Sequence, residues 1–308
     1  MKISVVITVL NEGKTIEKLL KSLFNQTKSP DEIIVVDGGS SDRTVAKIKN
    51  LKLKIENDNV KFKILVKHGN RAVGRNYGIA QAKNEIIAVT DAGGYPKKDW
   101  LEKITAPFNN KTVQAVSGYY KSVAETSFEK CITPYFLVMP DALPKDGEFL
   151  PSSRSVAFRK SVWKKVGGYP EQFSHNEDLV FDYNLKKAGI SFFFEPNAKA
   201  YWYPPQNLFL AAKQFFRFAY GDAQAGIKRS KVPFIFIRYG IALLLLGAGA
   251  YPLLFLLIFL YGLWVIWRHF KYVMQPNALF WLPIIQVTAD FAIMSGTLIG
   301  KIQKRGTR

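Results

Sequence analysis

Cysteine is nearly absent from this chain of 308 residues: Cys131 is the only one. An internal disulfide is therefore excluded, and so is a zinc cluster built on thiolates. Cys131 itself reads as a small buried hydrophobe. Acidic residues are scarce too, with 24 Asp and Glu against 43 Lys and Arg, a formal charge of +19. That excess favours polyanionic partners: nucleic acid, anionic lipid head groups or phosphorylated substrates. Internal repeats and low-complexity linkers are missing. Met1 leads directly into Lys2-Ile3-Ser4-Val5-Val6-Ile7, patterned like a strand rather than a signal peptide, so the N-terminal part is expected in the cytosol.

Charge itself disappears late in the chain. From Phe234 to Trp267 the only charged residue is Arg238. As one helix these roughly 34 residues would span about 51 Å, against a hydrocarbon core of about 30 Å. The surplus predicts two short helices with a break near Gly247-Ala248-Gly249-Ala250-Tyr251-Pro252; a single tilted, kinked helix is the alternative. A second apolar segment, 278–300, is interrupted by Asp290. Trp264, Trp267 and Trp281 lie near segment ends, where indole rings favour the lipid–water boundary. Residues 231–308 are thus expected to anchor the chain in a membrane.

What is present earlier alternates strand and helix signals. Residues 3–10, ISVVITVL, and 33–37, IIVVD, read as parallel strands buried on both faces. Between them GKTIEKLLKSLFNQ places Ile16, Leu19, Leu20, Leu23 and Phe24 on one helical face, opened by Asn11 or Glu12. Residues 43–50 continue as a helix, KFKILVK reads as a third strand, RAVGRNYGIAQAK as a helix and EIIAVTD as a fourth strand. Beyond about 113, AVSGYY and SRSVAFRK look like strand segments, KSVWKKVGGYP like a helix ending at Gly167-Gly168, and ISFFFEPNAKAYWYPP like a strand pair or hairpin. NEDLVFDYNLKKAG reads as a capped helix with Leu179, Val180, Tyr183 and Leu185 inward.

Two of the apolar strands end in aspartate, at Asp37 and Asp91. In open α/β sheets, ligands bind at the carboxyl ends of the strands. Gly38 and Gly39 let the backbone approach a ligand closely, and Asp37 suits ribose hydroxyls or a base N–H. A tight turn with a helix cap at Thr44, or at Ser41 and Asp42, would explain the loop but not Asp37. Arg71 and Arg75 share one helical face and have the fork geometry for phosphate oxygens. Asp91 could hold a divalent ion that bridges two phosphates. Glu177 and Asp178 open a helix, where carboxylates favour the positive end; one of them could also serve as general base towards an acceptor hydroxyl. His175 could be a base, a ligand or neither.

Taken in order, VVITVLNEGKTIEKLLKSLFNQT, IIVVDGGSSDRT, GRNYGIAQAKNEIIAVTDAGGYPKKDWL, VGGYPEQFSHNEDLVFDYNLKKAG and QFFRFAYG resemble the family 2 (GT-A fold) glycosyltransferases over residues 1 to about 230. The resemblance implies an α/β GT-A domain over 1–230 with a mostly parallel sheet, followed by the transmembrane helices (about 234–267, as a hairpin or not, and 278–300). It implies an inverting transferase using a nucleotide-diphospho-sugar donor and a divalent cation, Mg²⁺ or Mn²⁺. Thr8, Asn11, Glu12 and Asp37 would then surround base and ribose, with Arg71 and Arg75 near the base or diphosphate. Asp91 would lie at the metal, and Asp178 would act as base with Glu177 beside it. Gln214 and Arg217 look like the acceptor-side Gln-x-x-Arg-Trp element, with Phe218 in the Trp position. Two features depart from the family pattern. Asp91-Ala92-Gly93 lacks the second carboxylate of Asp-x-Asp, and Tyr201-Trp202-Tyr203 stands where many members carry a histidine.

The expected acceptor is lipid-linked or a polysaccharide at the cytosolic membrane face, with Lys213, Arg217, Lys228, Arg229 and Lys231 against anionic lipid. The tail cations Lys301, Lys304, Arg305 and Arg308 imply a cytosolic C-terminus and an even number of crossings. A 234–267 hairpin plus one further span gives three, so the two counts conflict. A non-catalytic sugar-nucleotide-binding membrane protein and a soluble nucleotidyltransferase share the donor-site logic. A nucleic-acid binder would explain the charge, but neither the apolar C-terminus nor the aspartates at strand tips.

Overall fold

The computed structural model describes residues 1–54, 60–144 and 149–306. It forms two compact units: Met1–Val123 with Pro140–Tyr203, and Ala124–Met139 with Pro204–Arg308. Arg308, one of the tail cations, lies outside the described residues.

Among the described residues the first unit carries eight strands: β1 (Ile3–Val9), β2 (Glu32–Asp37), β3 (Lys61–Val66), β4 (Ile86–Val89), β5 (Gly94–Pro96), β6 (Ala115–Ser122), β7 (Val156–Arg159) and β8 (Phe192–Trp202). They form one sheet in the order β3-β2-β1-β4-β7-β6-β8-β5. The β3-β2-β1-β4 half is parallel throughout, β6 and β8 are also parallel, and β7 runs antiparallel to β4 and β6. Val9 pairs with Asp37 and Asp37 with Val66, so Asp37 ends the pairing at the carboxyl edge. FFFEPNAKAYW is a single strand rather than a hairpin: β8 keeps pairing with β6 across a register shift between Ser117 and Tyr119. On β8 the shift spans the stretch that contains Pro196, which has no N–H to donate to a ladder. The irregularity absorbs that interruption without a chain reversal, as bulges do.

Among the described residues, six α-helices belong to this unit: α1 (Ile16–Phe24), α2 (Thr44–Lys54), α3 (Arg71–Gln81), α4 (Trp100–Thr105), α6 (Lys160–Lys165) and α7 (Glu177–Lys187). In α1, Ile16, Leu19, Leu20 and Leu23 are buried, as their spacing predicts, and Phe24 packs edge-on against Phe62. Each such side chain contributes about 1.5–3 kcal/mol when fully buried. The inward face of α7 differs from the sequence reading. Glu177, Phe181, Asp182 and Leu185 are buried, while Leu179, Val180 and Tyr183 are only half-buried. Periodicity could not show this, because two of the four inward positions are carboxylates. Helix α3 lies close on the sheet because Gly74 and Gly78 lack side chains there; a Cβ at Gly78 would come within 2.7 Å of Val6.

The second unit holds α5 (Ser127–Phe136), α8 (Leu208–Ala225), α9 (Val232–Gly247), α10 (Tyr251–Val273) and α11 (Ala278–Gly306). The long apolar run breaks at residues 248–250, the predicted turn between two helices. Helix α10 and the Ala278–Lys304 stretch of α11 are long and apolar enough to cross a membrane. The 16 residues of α9 reach about 24 Å, short of a hydrocarbon core of about 30 Å. Two charges of this apolar region, Arg238 and Asp290, find each other. Asp290, 0% exposed, accepts from Arg238 at 2.9 Å, Tyr261 at 2.7 Å, Tyr239 at 3.2 Å and Gln286 at 2.9 Å. A buried carboxylate among apolar helices is tolerated when it is supplied with this many donors. Arg229, expected against lipid, forks onto Asp222 at 2.8 and 3.1 Å.

Helices α8 and α11 touch through Gly296 and Gly300, spaced four apart so that both fall on one helix face. A Cβ at Gly296 would come within 2.4 Å of the Phe216 carbonyl oxygen, and backbone cannot yield cheaply. Gly296→Val should therefore lower stability by about 1–3 kcal/mol through overpacking. Gly262→Val on α10, where nothing lies within 4 Å, should leave it unchanged. Thermal unfolding of both variants in detergent checks this, and equal midpoints would refute the close contact.

Candidate active site

Two loops at the carboxyl edge of the sheet are stitched together. Asn11 adopts a left-handed conformation, with φ at 56°. Its side-chain oxygen accepts from the Ser41 amide at 2.9 Å, and its own amide donates to the Ser40 hydroxyl at 2.9 Å. The Glu12 amide donates to the Thr44 hydroxyl at 2.8 Å, and the Gly13 amide to Asp42 at 3.0 Å. Asp37 is buried and engaged within its own loop, accepting from the Gly39 and Ser40 amides at 3.0 Å each and from the Ser40 hydroxyl. The carboxylate that a simple turn left unexplained thus shapes the glycine loop. Thr8, half-buried on β1, packs against Gly74 of α3.

The second cluster centres on Arg75. This guanidinium is 1% exposed and donates to Glu177 at 2.6 Å and to Asp91 at 2.8 Å. It therefore ties the start of α7 to the end of β4. The guanidinium carbon lies 5.3 Å from the centre of the Tyr169 ring, which packs against the cluster. Arg71, one turn earlier on α3, is exposed. Asp178 follows Glu177; it accepts from the Leu179 amide at 2.9 Å and lies 3.4 Å from the Ser153 amide. Asn176, left-handed at φ 58°, sets the direction in which the two carboxylates leave the loop. His175 bonds the Ser174 hydroxyl at 2.7 Å.

Electrostatics separates the carboxyls. Burial would raise Asp91, but the guanidinium groups of Arg75, Arg71 and Arg154 outweigh it and hold Asp91 below the usual carboxylate range. Glu177 moves the other way: burial, reinforced by Asp178, outweighs Arg75 and raises it. Burial also raises Glu12, against the pull of its Thr15 bond and of Arg71. Glu12 is within electrostatic reach of both Arg71 and Asp91. Asp182, 2% exposed on α7, is raised well above its ordinary value by burial and by Asp178.

Arg75, Asp91, Glu177 and Asp178 are thus together, with Arg71 and Glu12 near them. Gln214, half-buried, and Arg217, exposed, lie on α8 in the second unit. Phe218 stands edge-on to Phe136 there. Sequence reasoning missed Arg154 and Asp182. No motif marks Arg154, and Asp182 is hidden in a helix whose apolar face was assigned elsewhere.

Among the described residues no three His, Cys, Asp or Glu side chains gather as a metal site. Asp91 still fits a hard divalent ion. It is ionised and 24% exposed, and Arg75 takes only its Oδ1. Mg²⁺ commonly uses one or two carboxylates and completes its shell with phosphates and water.

The fold matches that of solved glycosyltransferases. A mannosyltransferase from Pyrobaculum calidifontis, in complex with GDP-Man and Mn²⁺, superposes with a TM-score of 0.69 at 17% identity, over 95% of this chain and 87% of that one. S. aureus TarS gives 0.53 at 21%, over 70% of this chain and 39% of that one. Residues 4–167 match the model for glycosyl transferase family 2, and 87–285 that for glycosyl transferase family group 2. The chain belongs to glycosyl transferase family 2 and is a transferase enzyme. The succinoglycan biosynthesis protein ExoA of Rhizobium meliloti is 27% identical over 74% of this chain and 71% of its own length. The dolichyl N-acetyl-alpha-D-glucosaminyl phosphate 3-beta-D-2,3-diacetamido-2,3-dideoxy-beta-D-glucuronosyltransferase of Methanococcus voltae is 26% identical over 72% of each.

Arg75→Ala leaves Asp91 and Glu177 near each other without their cation and should cost about 3–5 kcal/mol. Denaturant unfolding measures it, and a loss under about 1 kcal/mol would contradict so central a role. The sign for Asp182 is also fixed. A carboxyl raised in the folded state favours folding below its ordinary value of 3.8, and that contribution is lost as pH climbs through the raised value. Wild type should therefore lose stability relative to Asp182→Asn as pH rises above the ordinary carboxyl value of 3.8, with the two curves converging near and below it. Parallel melting curves across that range would show that Asp182 does not titrate there.

Proposed function

We propose that this protein is an inverting, membrane-attached glycosyltransferase. It moves a sugar from a nucleotide-diphospho-sugar to a lipid-linked or polysaccharide acceptor at the cytosolic membrane face. The observation that carries the reading is Asp178 standing beside the Glu177–Arg75–Asp91 chain at the carboxyl edge of the sheet. Residues 1–230 are assigned to catalysis and 231–308 to anchoring. The acceptor class draws support from ExoA, named for succinoglycan biosynthesis, and from the M. voltae enzyme, named for a dolichyl phosphate glycan.

Asp178 takes the proton from the acceptor hydroxyl or phosphate, and the freed oxygen attacks the anomeric carbon as the nucleoside diphosphate departs. Glu177 and Arg75 hold Asp178 and Asp91 in place. Thr8 and Asp37 at the strand ends, with Asn11 and Glu12 in the following loop, surround the base and ribose, with Asp37 acting by shaping its loop. Arg71 lies on the donor side. Asp91 would hold Mg²⁺ or Mn²⁺, which when bound offsets charge on the leaving diphosphate. Gln214 and Arg217 serve the acceptor. An open groove of about 550 Å³ between α8 and α11, lined by Phe209, Lys213, Phe216 and Phe291, supports an acceptor with a lipid tail on that side. Helices α10 and α11 cross the membrane while α9 stays re-entrant. That gives the even number of crossings required by a basic cytosolic tail.

Asp178→Asn should lower turnover by at least about a hundredfold and leave donor affinity within about twofold, as loss of a general base does. The measurement pairs nucleoside diphosphate release, over a panel of UDP-, GDP- and dTDP-sugars, with donor binding. Near-normal turnover would remove Asp178 from the mechanism.

A further inference from the structure

Arg75 was expected, with Arg71, near the base or diphosphate, yet it is buried and both arms of its fork are taken by carboxylates. A second guanidinium lies within electrostatic reach of Asp91 and keeps donors unspent. Arg154 lies in the loop entering β7. The Thr90 hydroxyl donates to its carbonyl oxygen at 2.9 Å, which anchors it beside the residue preceding Asp91. The amide of its neighbour Ser153 faces Asp178 at 3.4 Å. Arg154 is therefore fixed by its backbone next to both the metal-side carboxylate and the general base.

The side chain is fixed as well. Its guanidinium carbon lies 5.0 Å from the Tyr120 ring centre and 4.9 Å from that of Trp202, stacked against residues of β6 and β8. Nη1 meets the Ser152 hydroxyl at 3.2 Å, and the side chain also bonds the Tyr120 hydroxyl. Among the described residues no carboxylate lies within ion-pair distance of Arg154. An arginine has five N–H donors in a rigid fork, and stacking orients the plane without consuming them. Its half-exposed position leaves the fork open to a ligand. Space is available nearby, because a Cβ added at Gly93, two residues beyond Asp91, would meet nothing within 4 Å.

We infer that Arg154 is a diphosphate-binding residue of the donor site, its stacked guanidinium receiving phosphate oxygens of the leaving nucleoside diphosphate beside Asp91. The inference rests on the glycosyltransferase reading and assigns Arg154 the task that Arg75 cannot perform. It also answers the missing second carboxylate of Asp91-Ala92-Gly93. Where a site offers one carboxylate to a divalent ion, a fixed guanidinium supplies positive charge that the ion alone would otherwise provide. Trp202, in the stretch where many members carry a histidine, serves here as one face of the stack.

The test uses the full chain in detergent and titrates UDP, GDP and dTDP, together with uridine, guanosine and thymidine, with excess Mn²⁺ and with excess chelator. Arg154→Ala and Arg154→Gln should weaken binding of the preferred diphosphate about tenfold or more in both conditions, the effect of losing a charge-assisted bond. Binding of the matching nucleoside should change by less than about threefold, and Arg154→Lys should recover part of the loss. If wild type binds a nucleoside diphosphate and both variants bind it equally well, Arg154 is not its ligand, and the glycosyltransferase reading stands without it. An equal loss for diphosphate and nucleoside would assign Arg154 a structural role and overturn the inference. If wild type binds none of the diphosphates, the donor reading falls and this inference falls with it.

Discussion

Arg75 is charged, buried and shared between two carboxylates, and the geometry at the carboxyl edge of the sheet depends on it. Removing an ion from water costs several kcal/mol unless partners replace the lost hydration. Asp91 and Glu177 do so at 2.8 and 2.6 Å, and they belong to elements far apart in the chain. The same contacts divide the acids by environment. Asp91 keeps an exposed edge and stays ionised, whereas Glu177 is sealed in and pushed upward. Asp178, next along α7, remains half-buried.

That arrangement requires α3 to lie unusually close to the strands. Gly74 and Gly78 provide the closeness by leaving Thr8, Val6 and Val36 room against the helix backbone. Arg75 lies between these glycines in sequence, so the residues that let the helix approach also carry its cation into the sheet edge. On the far side, Asn11, Ser40, Thr44 and Asp42 bind the first two loops into one surface. The second unit uses the same two devices in an apolar setting. Glycines bring α8 and α11 together, and a polar hub at Asp290 joins α9, α10 and α11.

Much of the fold was legible because each signal was local. The β-branched runs of β1 and β2, the apolar stripe of α1 and the small-residue break between α9 and α10 each follow from neighbouring residues. Reading failed where a distant partner decides. The long β8 reads as two strands because Pro196 interrupts its pattern, and pairing with β6 carries it through. The inward face of α7 was misassigned because buried Glu177 and Asp182 look like solvent residues until Arg75 and the surrounding core are in place.

The sequence by itself determined which chemistry could be assembled: aspartates at the ends of apolar strands, paired acids opening a helix, and apolar segments long enough to meet a membrane. Tertiary structure alone decided how that chemistry was shared out. It turned Arg75 inward to become a brace, folded Asp37 into its own loop, and left Arg154 half-buried over two aromatic rings. The physical reason is that a side chain's type fixes which bonds it can make, whereas burial and the partners brought by distant segments fix which bonds remain for a ligand.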